Sequence, residues 1–139
     1  MPPLVEAEGL VKTYQGGRVR ALDGLDFAAG EGDMIAITGP SGGGKSTLLY
    51  ALSGLIALDA GQVRIGGRHP ATAGEWVALR ARAIGMVFQE DWLLPGLTAA
   101  ENVELPMLGV ETSAAARRAR VATLLEEVGA APLAARHPA

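Results

Sequence analysis

Gly39-Pro40-Ser41-Gly42-Gly43-Gly44-Lys45-Ser46 is the stretch from which the chain is best read. It fits G-x-x-x-x-G-K-[ST], the phosphate-binding loop called Walker A. Glycines tolerate positive φ and carry no β-carbon, so successive backbone N–H groups can turn inward around an anion. A helix starting at the loop's end adds unpaired N–H groups and the positive end of its dipole. Lys45 supplies a mobile full charge for the terminal phosphates, and the Ser46 hydroxyl is placed to ligate Mg²⁺. With 19 glycines in the sequence, an accidental match is expected in about one such chain in fifty. The flanks argue against accident. Met34-Ile35-Ala36-Ile37 reads as a strand buried on both faces, and Leu48, Leu49, Leu52, Leu55 and Ile56 fall at helical spacing. Strand, glycine loop and helix occur in the order the motif requires, so the loop is expected to hold the triphosphate of ATP.

Upstream, Leu4 to Val11 alternates, with Val5 and Ala7 on one face and Glu6 and Glu8 on the other, the pattern of a half-buried strand. Tyr14, the turn Gly16-Gly17, and then Val19, Leu22, Leu25 and Phe27 suggest a second and third strand of an antiparallel layer. Downstream, Gln62 to Ile65 alternates as another strand, and a short helix is expected around Trp76 to Arg80. Ile84-Gly85-Met86-Val87-Phe88 reads as a second buried strand running into Gln89. Thr98-Ala-Ala-Glu101 has the form of a capping box. The last helix is expected over about Ser113 to Val128, with Val121, Leu124, Leu125 and Val128 on one face and Gly129 as its C-terminal stop.

Composition narrows the function classes. The chain is 49% hydrophobic but only 4% aromatic, so its core must be built from Leu, Val, Ile and Ala. A net charge of -3 lacks the basic footprint of a nucleic-acid binder, and neither DNA nor RNA is expected as a partner. Without cysteine there are no disulfides or thiolate metal sites, which suits the cytosol. No window approaches the 18 apolar residues that span a bilayer. Any membrane link is expected to come through a partner.

The stretch Gly39 to Leu49 resembles the Walker A segment of the ATP-binding subunits of ABC transporters, with Gly43 where serine is more common. Ala21-Leu-Asp-Gly-Leu25 and Asp59-Ala-Gly-Gln-Val63 are similar to the family's flanks of that loop. The resemblance implies an incomplete α/β P-loop NTPase of the ABC ATPase type, with an N-terminal antiparallel β layer and the start of a helical subdomain. Residues 1–90 would be the core and 91–139 the helical part. It implies that Tyr14 stacks on adenine, that Gly39, Pro40, Ser41, Gly42, Gly43, Gly44, Lys45, Ser46 and Thr47 bind the phosphates, and that Lys45 and Gln89 serve catalysis. Ser46 and Gln89 would meet Mg²⁺. Leu93 to Pro106 looks most like the subgroup serving lipoprotein release and macrolide export. The implied partners are a transmembrane subunit and a second ATP-binding subunit, at the inner face of the cell membrane.

The family's signature loop, Walker B strand, D-loop and switch histidine do not occur in these 139 residues. Leu52-Ser-Gly54 imitates a signature but lies on the Walker A helix, and Leu55-Ile-Ala-Leu-Asp59 imitates a Walker B strand but has Ala60 where the glutamate belongs. Arg136-His-Pro-Ala139 looks like the approach to the signature loop. The isolated chain is therefore expected to be marginally stable and to bind ATP with little hydrolysis. A different P-loop enzyme, such as a small kinase or GTPase, is disfavoured because the loop follows an antiparallel layer and no Asn-Lys-x-Asp motif occurs. A non-catalytic nucleotide-binding or interaction module stays open.

Overall fold

The computed structural model describes residues 3–90 and 92–138. Two compact units divide the chain after Arg80. The first is built on a three-stranded antiparallel sheet of order β2-β1-β3, with β1 over Val5–Tyr14, β2 over Val19–Ala29 and β3 over Ala60–Ile65. Ala7 and Leu10, three positions apart on β1, are both buried because the strand's register shifts between them; they meet Leu22, Val63 and the helix residues Leu48 and Ala51. That helix, α1, runs over Lys45–Leu52 and starts at the end of the glycine loop.

The β1–β2 register slips three times, and one slip leaves Ala21 as an extra residue on β2 between Leu22, which pairs with Lys12, and Arg20, which pairs with Thr13. Such a bulge bends the strand and frees a backbone group from the ladder. β2 is one continuous strand; the run from Val19 to Phe27 expected to give two strands does not break, because its bulges absorb the irregular spacing.

Beyond β3, α2 covers Ala73–Arg82. Trp76 packs against the core and stands so close to Gly54 that a β-carbon there would overlap the indole ring. Gly54 also has φ 64°, so both space and backbone require glycine. The Arg80 guanidinium donates to the carbonyls of Ser53 and Gly54 at 3.0 and 2.9 Å, closing the C-terminal end of α1.

In the second unit, α3 occupies Ala99–Glu104 behind a complete capping box: the Thr98 hydroxyl accepts from the Glu101 N–H, and the Glu101 carboxylate accepts from the Thr98 N–H at 2.7 Å. The next helix, α4, spans Ala114–Glu127 with Ser113 as N-cap. Val121 and Leu125 are its buried residues, whereas Val128, expected on the same face, is 75% exposed. It lies past the last helical residue, where Gly129 at φ 69° turns the chain away. The Gly129 and Ala130 N–H groups donate to Glu126 and Leu125 at 2.9 and 2.7 Å, a Schellman closure.

Two expected elements are absent among the described residues. Neither Met34–Ile37 nor Ile84–Phe88 is a strand, and Met34 and Val87 are fully exposed. An apolar run becomes a buried strand only when neighbours satisfy its N–H and C=O groups, and no described segment pairs with either run. Of the first run only Ile37 packs on the core. The apolar face expected on α1 is likewise narrower, with Leu49 and Leu55 exposed.

Candidate functional site

The glycine loop meets the backbone demands of an anion cradle. Gly39, Gly42 and Gly44 have φ of 154°, 77° and 77°, values that side-chain-bearing residues rarely adopt. The Gly43 N–H donates to the Pro40 carbonyl at 3.1 Å, which closes the turn. Gly44 is the N-cap of α1; no side chain caps that helix start and its first turn contains no acid. Its first-turn N–H groups and its dipole are thus left for an outside acceptor.

Lys45 is the first residue of α1, and its side chain bends back over the loop. Its ammonium donates to the Gly39 carbonyl at 2.9 Å and to the Pro40 carbonyl at 2.6 Å. The same charge that would meet a phosphate is held at the loop's mouth by the loop's own carbonyls. Ser41 and Ser46 are exposed, and Thr47 is half-buried one residue further along α1.

The loop is fixed to the hairpin at Gly44. A β-carbon there would overlap the Ala21 carbonyl oxygen, the group at the β2 bulge. Two residues before Ala21 is Val19, the ladder partner of Tyr14. About 7 Å of strand therefore separates the cradle's anchor from the cross-strand neighbour of Tyr14. Tyr14 ends β1 and is 39% exposed.

Lys12 and Asp59, to which the sequence assigns no site role, lie next to Tyr14: Lys12 against its ring and Asp59 against the neighbouring residues Lys12 and Thr13. The Lys12 ammonium stands 5.5 Å from the centroid of the Tyr14 ring. The Asp59 carboxylate accepts from the Thr13 N–H at 2.6 Å, from the Thr13 hydroxyl at 2.7 Å and from Lys12 at 3.4 Å. The Thr13 hydroxyl and N–H, and then the Lys12 charge, hold the Asp59 carboxyl below the usual carboxylate range. Asp59 is not on a strand, which agrees with rejecting Leu55–Asp59 as a Walker B imitation. No sequence signal marks these contacts, since Thr13 and Asp59 are 46 positions apart.

Gln89 belongs to the second unit and is exposed at the end of the unpaired Ile84–Phe88 run. Among the described residues no group of three or more His, Cys, Asp or Glu could hold a metal ion. No helix among them is long and apolar enough to cross a membrane.

A family model described as ABC transporter matches residues 22–139. The chain belongs to the ABC transporter family. Among curated ABC relatives, the lipoprotein-releasing system ATP-binding protein LolD of Xanthomonas campestris is 42% identical over 91% of this chain and 54% of its own length. The pyoverdine export ATP-binding/permease protein PvdT of Pseudomonas syringae is 40% identical over 98% of this chain and 22% of its own. This ABC chain thus spans about half the length of the LolD relative it matches. A dimeric ATP-binding cassette solved in a post-hydrolysis state with ADP and Pi superposes with a TM-score of 0.87 at 34% identity, covering 96% of this chain and 61% of the other. A nucleotide-free cassette from an ABC transporter gives 0.77 at 26% identity, covering 97% and 57%. The fold is accordingly that of an ABC ATPase, incomplete relative to these cassettes, with two strands of its antiparallel β layer before the phosphate-binding loop and the third after α1.

Proposed function

We propose that this ABC chain is the nucleotide-binding front part of a transporter ATPase, seating ATP between Tyr14 and the Gly39–Ser46 loop. The observation that carries the proposal is the anchoring of both features to one hairpin: Gly44 against the Ala21 bulge, and Tyr14 paired with Val19. Adenine would stack on the exposed Tyr14 ring. The triphosphate would take the N–H groups of Gly42, Gly43, Gly44, Lys45, Ser46 and Thr47. On binding, the Lys45 ammonium exchanges the Gly39 and Pro40 carbonyls for phosphate oxygens, a stronger charge-assisted pairing. Pro40 and Ser41 shape the outer wall of the loop.

The residues fit a Mg²⁺ ion shared with a nucleotide. The Ser46 hydroxyl, on the second residue of α1 beside the uncapped first turn, would be the ligand this unit offers the ion. Mg²⁺, when bound, neutralises phosphate charge during phosphoryl transfer. Residues 1–90 would form the core of the domain and residues 91–139 the start of its helical part.

The isolated chain is proposed to bind ATP and hydrolyse it slowly or not at all, since the family's Walker B strand with its carboxylates does not occur in these 139 residues. By likeness to the dimeric cassette, a second ATP-binding subunit, and by likeness to the ATP-binding/permease protein PvdT, a transmembrane subunit, would complete the machine. Titration with Mg-ATP and Mg-GTP, alongside phosphate release, tests this reading: ATP binding with a turnover far below about 1 per second supports it. No ATP binding by the folded chain would overturn it.

A further inference from the structure

β3 stops supporting β1 before Tyr14 is reached. The last pair between them is Val11 with Ala60, so Lys12, Thr13 and Tyr14 run on without a ladder partner on that side. Asp59, the residue just before β3, takes over. Its N–H donates to the Val11 carbonyl at 2.9 Å, and its carboxylate accepts from the Thr13 N–H and hydroxyl at 2.6 and 2.7 Å. A side-chain oxygen thereby stands where a further ladder carbonyl would be. The other carboxylate oxygen draws Lys12 to 3.4 Å, and the same ammonium lies over the Tyr14 ring. Directly after Tyr14 the chain enters the turn, with Gln15 in left-handed backbone at φ 53°.

We propose that Asp59 is a positioning residue for the base platform: by tying Val11, Lys12 and Thr13 together it holds Tyr14 still, with Lys12 over one face and the opposite face presented to adenine. The inference rests on the reading of Tyr14 as the adenine platform. The Thr13 hydroxyl and N–H hold the Asp59 carboxyl below the usual carboxylate range, which keeps this acceptor ionised at neutral pH. Lys12 over one ring face is itself a favourable cation–π contact, and it leaves a single face for a base.

Calorimetric titration of the chain with Mg-ATP and with Mg-tripolyphosphate separates the base from the phosphates. Asp59→Ala is expected to weaken ATP about three- to tenfold, a fraction of a full stacking interaction, while tripolyphosphate stays within about twofold. Asp59→Asn keeps an acceptor oxygen for Thr13 and should bind ATP within about twofold of the parent, and Thr13→Val, which removes one of the two bonds, should fall between parent and Asp59→Ala. In a double-mutant cycle, Tyr14→Ala with Asp59→Ala should bind ATP no more weakly than Tyr14→Ala alone. Equal losses for ATP and tripolyphosphate, additive losses in the cycle, or an Asn variant as weak as the Ala variant would each overturn the role. If Asp59→Ala does not fold, Thr13→Val and Asp59→Asn carry the same comparison. Should Tyr14→Ala leave ATP affinity untouched while tripolyphosphate still binds, the platform reading itself fails, and the role of Asp59 with it.

Discussion

Replacing Gly44 by alanine tests the seat of the phosphate loop on the hairpin, with Gly42→Ala as its internal control. Both glycines have φ 77°, so either alanine bears the same left-handed strain of about 1–2 kcal/mol. Their surroundings differ. A β-carbon on Gly42 meets nothing within 4 Å, whereas one on Gly44 overlaps the Ala21 backbone carbonyl, which cannot swing aside as a side chain would. Relieving that overlap means lifting the loop by about 1 Å or distorting the bulge, at a further cost of about 1–3 kcal/mol. Gly44→Ala should therefore lose about 2–5 kcal/mol against about 1–2 for Gly42→Ala. At roughly 4–8 °C per kcal/mol for a unit of this size, the two melting temperatures should differ by about 10 °C without nucleotide. ATP affinity of the Gly44 variant should fall at least about thirtyfold, since the α1 start no longer faces the phosphates. Melts by circular dichroism and a titration with Mg-ATP read both quantities. Equal melting temperatures for the two variants would refute the close seat on Ala21.

Lys45→Ala is expected to weaken ATP by about a hundredfold through loss of the charge-assisted phosphate contact, yet to melt close to the parent, because the carbonyls it leaves belong to an exposed loop. Gly54→Ala should destabilise the first unit by about 2–4 kcal/mol, the sum of left-handed strain and collision with Trp76; urea unfolding measures it. Thr98→Ala should cost the second unit about 1 kcal/mol of helix capping, visible as faster amide exchange at the start of α3. The Glu101 carboxyl is held below its ordinary 4.5 by the Thr98 N–H and hydroxyl. Since the folded value is the lower one, its contribution is fully present above about pH 4.5 and lost as pH falls through the depressed value. α3 should fray in acid, and Glu101→Gln should flatten that pH dependence.

Local signals carried much of this fold. The capping box at Thr98, the Gly129 stop of α4, the Gly16-Gly17 hairpin and the start of α1 at Lys45 each depend on residues within a few positions of one another, and each stands where the pattern put it. The two apolar runs at Met34–Ile37 and Ile84–Phe88 read as buried strands because composition reports what a segment could bury. Whether it pairs depends on neighbours, and none lies among the described residues. The glycine loop was legible for the same local reason as the caps. The surroundings of Tyr14 were not: Asp59 reaches Thr13 across 46 positions, and nothing in Asp59-Ala-Gly-Gln distinguishes a side chain that extends a ladder from one at an ordinary turn.

The Ala21 bulge ties the proposed phosphate and base sites to a single short length of β2. A pleated strand scarcely stretches, so this segment works as a fixed gauge, set by the backbone rather than by any side chain. Inserting one residue between Val19 and Ala21 would turn the intervening side chains to the opposite face and reset the gauge by about 3 Å. A nucleotide seated at both ends would then lose its fit as a whole, while a free base or a bare phosphate chain would scarcely notice.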